Sequence, residues 1–180
     1  MNERKPQPNR EHHFYVSIAK FLFHHSQHGI VTVRDPIRLA NAAQRGLHPI
    51  MLYGVTVAGL PIRWLTFSPV DQPKSLCGVL LTAWKNAKGL RGLPDVLRMN
   101  RYVAQADPGL AEDLAQIGVR LEIADAKDKT VPASLRSAQD ASAWLLKKYD
   151  PADMSLAESV EALCHDAREG CCHINAASVN

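Results

Sequence analysis

Cys164, His165, Cys171, Cys172 and His173 put five soft metal ligands near the end of the chain. Thiolates and imidazoles hold zinc in tetrahedral sites, but this spacing follows no finger or ribbon pattern. Free thiols in a flexible, partly exposed tail account for it more simply. His24 and His28 show the i, i+4 spacing with which two imidazoles on one helix face share a metal ion. No acidic or cysteine ligand lies near them in sequence, and the end of a helix favours imidazoles through its dipole and unpaired carbonyls. The residues therefore assign no metal site and call for no cofactor.

Cations form the second set. Lys85, Lys88 and Arg91 fall within "KNAKGLRG", and Arg98, Arg101 and Arg136 follow. Gathered at the mouth of a sheet, Lys85, Lys88, Arg91, Arg98 and Arg101 would face phosphates, with Tyr102 stacking on a base. The plainer account is a solvated helix end, where the dipole prefers positive charge. Carboxylates that could serve metal-dependent hydrolysis are scattered over Asp35, Asp95, Asp107 and Asp140. Asp107 before Pro108 is explained by helix capping alone, and Ser75 and Ser134 have capping roles as well. "AGLP" and "KGLRG" lack the glycine spacing followed by Lys and Ser or Thr that cradles a nucleotide phosphate. No Ser, His and Asp set stands out, so catalytic residues stay unassigned.

The chain has 180 residues, 46% of them apolar, enough for one main core and a small appendage. Its 21 Lys and Arg against 18 Asp and Glu leave a net charge of +3, which neither demands nor excludes a polyanionic partner. Nothing approaches the run of about 18 apolar residues that a membrane span needs. Residues 1–10, "MNERKPQPNR", read as a polar, disordered arm with no apolar leader behind it. A cytoplasmic protein with reduced thiols and no membrane contact is expected.

The elements that must position these groups follow from pattern. Phe14, Ile18 and Leu22 recur at four-residue intervals, with Tyr15 and Ala19 beside them, and predict a helix over residues 11–28 stopped by Gly29. "GIVTVRD" is a short strand, followed by a helix over residues 36–45 with Asp35 as cap and Gly46 beyond its last turn. "IMLYGVTVAGLPIRWLTF" is a hairpin turning at residues 58–61. Leu76, Val79, Leu80, Ala83 and Ala87 share one helical face. Residues 95–100 read as a strand. A helix capped by Asp107 follows, with Leu110, Leu114 and Ile117 inward and Gly118 at its end, and "VRLEIA" is another strand. Strand, helix and strand so close together favour a parallel crossover. A charged loop, a long helix through "ASLRSAQDASAWLLKKY" and a last helix from Ser155 complete the chain. The expected division is a disordered arm over 1–10, a helical extension over 11–46, an α/β core over 47–150, and a C-terminal helix with a flexible tail over 151–180. The fold class is α/β: a mixed sheet with an antiparallel hairpin and a parallel βαβ unit, flanked by helices.

From His48 to Tyr149 this order of hairpin, helix, strand, helix, strand and helix resembles the ribonuclease-H-like core of integrases and transposases. The stretch "AWKNAKGLRGLPDVLRMNRY" is similar to the one in which a helix and a Gly-x-Pro turn lead into the strand bearing the second catalytic acid. That chemistry needs carboxylates converging on two divalent metals. Matched by position, the hairpin strand Met51 to Val57 has no Asp or Glu, the second acid falls at or near Asn100, and the last helix offers Gln139 beside Asp140. The resemblance thus implies the core without its acids: a non-catalytic binding or regulatory protein acting on nucleic acid or on a DNA-processing machine, of the kind a plasmid or other mobile element carries. The alternative is an active metal-dependent nuclease drawing on Asp35, Asp95, Asp107 or Asp140. Neither reading specifies an oligomeric state.

Overall fold

A computed structural model describes residues 10–25, 27–32, 39–58, 60, 62–87, 90, 92–125, 158, 160–162, 164 and 165. The expected long helix over residues 133–149 lies outside them. The elements are β1 (Glu11–His25), β2 (Gly29–Thr32), α1 (Leu39–Gln44), β3 (Leu47–Val57), β4 (Ile62–Pro69), α2 (Leu76–Asn86), β5 (Val96–Met99), α3 (Arg101–Ala106), α4 (Leu110–Gln116) and β6 (Arg120–Ile123).

The sheet runs β4-β3-β1-β5-β6, with β2 paired antiparallel to the far end of β1. β3 is antiparallel to both β1 and β4, whereas β5 is parallel to β1 and β6 parallel to β5. The mixed α/β sheet, the hairpin and the parallel crossover thus stand as expected. The first element does not. Residues 11–25 form the central strand, not a helix, and Gly29 opens β2 instead of stopping a helix. A spacing of four is a multiple of the strand period of two, so Phe14, Ile18 and Leu22 fit either element. Burial on both faces removes the polar alternation that would have decided: Phe14 and Tyr15, neighbours in sequence, are both 0% exposed. β1 also bulges. Ile18 opposes Met51 but Phe23 opposes Pro49, so the longer strand bends past a residue that has no N–H to donate.

One core forms between the sheet and its helices. Phe14 from β1, Tyr53, Val55 and Val57 from β3, Trp64 from β4, and Leu97 and Met99 from β5 pack on Val79, Leu80, Ala83 and Trp84 of α2 and on Leu110 and Leu114 of α4. Ser75 caps α2 by accepting from the Gly78 N–H at 3.3 Å, as its position predicted. Gly118 ends α4 with a φ of 80°, where an L side chain would be strained, and its N–H bonds the Ala115 carbonyl. Ile117, expected on the inner face, is 38% exposed because it already belongs to this cap. A smaller cluster of Phe23, Ala42 and Leu47 seats α1 against the other end of β1.

Between β5 and α4 the sequence reading missed α3. Asp107 ends α3 as its C-cap, and α4 starts at Gly109 without a side-chain cap. The capping role inferred for the Asp107 carboxylate is therefore corrected: its carbonyl, not its side chain, serves α4 by accepting from the Leu110 N–H at 3.1 Å. The Pro108–Gly109 turn explains this, since it moves the helix start two residues beyond the aspartate.

Candidate functional site

The place to look for chemistry is the carboxyl end of β5, beside its parallel neighbour β1. Residues His12 and His13 of β1 pair with Leu97 and Arg98, so the next residues of β1 flank Met99 and Asn100. β1, not β3, is therefore the strand that would have to supply a first carboxylate next to Asn100. Its sequence "EHHFYVSIAKFLFHH" has one, Glu11, at the opposite end of β5 where it pairs with Val96. Four strand residues put about 13 Å between those ends. Glu11 is also engaged, lying 3.1 Å from Arg98 Nη1 and 2.9 Å from His13 Nε2.

Asn100 has a structural task. Its φ and ψ are extended, and its Oδ1 accepts from the Val103 N–H at 3.0 Å, capping α3. Asn and Asp serve equally well at this position. We expect Asn100→Ala to cost about 1 kcal/mol, and Asn100→Asp to stay within roughly 0.5 kcal/mol of the parent. Urea denaturation measures both. Asn100→Asp should gain no Mn²⁺-dependent cleavage of DNA relative to the parent, because no second carboxylate of β1 adjoins it; cleavage gained by Asn100→Asp would refute this reading of the site.

The sequence-selected cations are placed as follows. Arg98 projects from β5, 28% exposed at its side chain, between Glu11 and Glu122, whose Oε2 it meets at 3.1 Å. Arg120 holds the other Glu122 oxygen at 2.9 Å. The Arg98 hydrogen bond, followed by the charges of Arg120 and Arg98, holds the Glu122 carboxyl below the usual range. Arg98 therefore joins a row of alternating charge across β1, β5 and β6. Lys85 is exposed in the last turn of α2, Arg101 is exposed at the start of α3, and Tyr102 beside it is 83% exposed. Lys88 and Arg91 lie outside the described residues, as do Asp35, Arg136 and Asp140. Asp95 is exposed and meets Arg10 at 3.4 Å.

The histidine pairing changes with the element. On a strand, His24 and His28 no longer share a helix face. His24 is buried and stands opposite His48 of β3 with ring centroids 6.1 Å apart, while His25 and His28 stack at 4.7 Å. Among the described residues no group of three or more His, Cys, Asp or Glu side chains converges as a metal site. Cys164 is not a tail thiol. It is 2% exposed, in a helical segment that also buries Val160, and its sulfur accepts from the Phe67 N–H at the outer edge of β4. Cys171, Cys172 and His173 are outside the described residues.

Sequence reasoning also missed two sets of polar contacts, one buried and one partly buried. The Trp84 indole N–H donates to His12 Nδ1 at 3.0 Å inside the main core, and Lys74 reaches Thr66 and Cys164. The aromatic and β-branched composition of "HHFYVSIAKFLF" was the available signal for the first. No local signal marks the second, whose partners lie 90 positions apart.

No family model and no curated protein matches the sequence. Solved structures do. The HTLV-2 integrase catalytic core domain, in complex with magnesium in its trimeric form, aligns with a TM-score of 0.51 and 13% identity. The alignment covers 89% of this chain and 86% of that one. The fold is ribonuclease-H-like. A chain of the simian T-cell lymphotropic virus intasome in complex with PP2A regulatory subunit B56 gamma aligns with a TM-score of 0.52 and 12% identity, over 90% of this chain and 49% of that one. Within a ribonuclease-H-like core β1, β3 and β4 are the antiparallel meander. Its first strand, β1, is the element whose four-residue spacing predicted a helix. No helix among the described residues is long and apolar enough to cross a membrane.

Proposed function

We propose that this chain is a binding or regulatory protein built on a ribonuclease-H-like core, without cleavage chemistry of its own. Its partner is nucleic acid or a machine that processes or transfers DNA, and its setting is the cytoplasm of a cell carrying a plasmid or other mobile element. The observation that carries the reading is the end of β5, where an amide engaged in capping α3 stands beside a strand whose single carboxylate is ion-paired about 13 Å away. The likeness to integrase cores, one of them a chain of an intasome, supports a nucleic-acid-related role for a protein of this fold. Lys85, Lys88, Arg91, Arg98, Arg101 and Tyr102 are the proposed contacts. Arg101 and Tyr102 carry the most weight, because both are exposed at the start of one helix.

Pure protein incubated with labelled single- and double-stranded DNA, with and without Mn²⁺, tests the reading by scoring retention and cleavage together. Retention without cleavage is expected, weakening steeply with salt. The double variant Lys85→Ala, Arg101→Ala should reduce the slope of log affinity against log salt by roughly one to two. Cleavage that one substitution at Asp35, Asp95, Asp107 or Asp140 abolishes would instead establish a metal-dependent nuclease. Neither retention nor cleavage would move the role to a protein partner.

A further inference from the structure

The hydrogen bonds around Cys164 join residues distant in sequence that polyanion binding leaves unused. Lys74, an exposed residue in the loop before α2, turns its side chain inward and donates from Nζ to Thr66 Oγ1 at 2.9 Å. Thr66 Oγ1 lies 3.2 Å from Cys164 Sγ, the Phe67 N–H donates to the same sulfur at 3.2 Å, and the thiol faces the Phe67 carbonyl at 3.4 Å. Lys74 Nζ itself stands 3.9 Å from Cys164 Sγ. Tyr53 anchors the loop: its hydroxyl accepts from the Lys74 backbone N–H at 2.9 Å and bonds Ser68 Oγ at 3.0 Å. Tyr53, Thr66, Ser68 and Cys164 are each 2% exposed or less, so a lysine amine and a thiol share a shielded polar cluster that opens to solvent on the Lys74 side.

We propose that Lys74 and Cys164 form an oxidant-operated cross-link, in which a peroxide joins Sγ to Nζ as a sulfenamide and ties the C-terminal helical residues to the loop before α2. In the first step the S–H bond of Cys164 and the peroxide O–O bond break, an S–O bond forms and one water leaves. The thiol is oxidised by two electrons to the sulfenic acid while the peroxide is reduced. In the second step Lys74 gives one ammonium proton to solvent and its nitrogen attacks that sulfur. The S–N bond forms, the S–O bond breaks, and the departing hydroxide takes an amine proton to leave as a second water, with no further oxidant. The amine that Thr66 holds beside the sulfenic acid is the nucleophile within reach. The link closes a loop between residues 90 apart in sequence, which removes freedom from the unfolded chain.

The test uses the full chain with C171S and C172S, so that no disulfide to the tail competes, treated with hydrogen peroxide at stoichiometric dose. The intact mass should fall by about two hydrogens, a peptide map should join the peptides containing Lys74 and Cys164, and dithiothreitol should separate them. The melting temperature should rise by on the order of 5 °C. Lys74→Arg keeps a cation beside Thr66 yet should lose the linkage and leave Cys164 as the sulfenic acid, trapped by dimedone; Cys164→Ser should lose both products. The proposal is overturned if Cys164 is recovered only as its oxygen acids, or in a disulfide with Cys77, or if a linkage survives in Lys74→Arg.

Discussion

Gly54→Ala is expected to lower stability by about 3 kcal/mol or more, and the melting temperature by on the order of 10 °C. Gly54 and Tyr15 are directly opposed on the two central strands β3 and β1. A methyl group at position 54 would fall inside the edge of the Tyr15 ring, against Cε2, Cζ and the phenol oxygen. Both residues lie in the middle of the sheet, and Tyr15 is 0% exposed, so neither backbone nor ring has room to yield. A glycine in a strand ordinarily costs about 0.5–1 kcal/mol relative to alanine, so a gain would be the expectation at an unconstrained site. Urea unfolding of Gly54→Ala, Tyr15→Ala and the double variant separates the two cases. The single changes should be non-additive by on the order of 2 kcal/mol, because removing the ring removes the clash. Strict additivity, or a Gly54→Ala protein as stable as the parent, would refute the account.

Stability should also depend on pH through a buried histidine. His12 is 0% exposed, accepts the Trp84 N–H at Nδ1, and leaves Nε2 without a partner among the described residues. Burial, and secondarily the neighbouring His13, lower its pKa from 6.5 to about 4. Between those values the unfolded chain holds a proton that the folded chain refuses. Stability is therefore complete above about pH 6.5, declines as the pH falls, and levels off near pH 4, with a total loss of about 3 kcal/mol. Glu122 acts at the acid end of this range, since a lowered carboxyl pKa adds stability that disappears only as the pH falls through the carboxylate range. His12→Gln keeps an acceptor for Trp84 and removes the titration. Measured at several pH values between 7 and 4, the variant should lose most of the slope; an unchanged slope would assign the effect to other groups.

How far the fold could be read from residues alone varies with the element. The β3–β4 hairpin, α2 with its Ser75 cap, and the β5 to β6 crossover were legible, because each combines a local pattern with its own stop signal. β1 was misread because a strand buried on both faces shows no alternation. At the candidate site the identity of Asn100 was plain, but its capping role depended on α3, which the reading did not contain. Arg98 was legible as a cation, but not that Glu11 and Glu122 surround it, since those carboxylates come from separate strands.

The sequence by itself determined the fold class and the hairpin, because composition and short-range periodicity carry that information. Tertiary structure alone decided which strand adjoins Asn100, which cations are already paired, and that Lys74 meets Cys164. Those are consequences of strand order and register, where residues meet through hydrogen bonds between segments tens of positions apart. No local propensity records such a meeting.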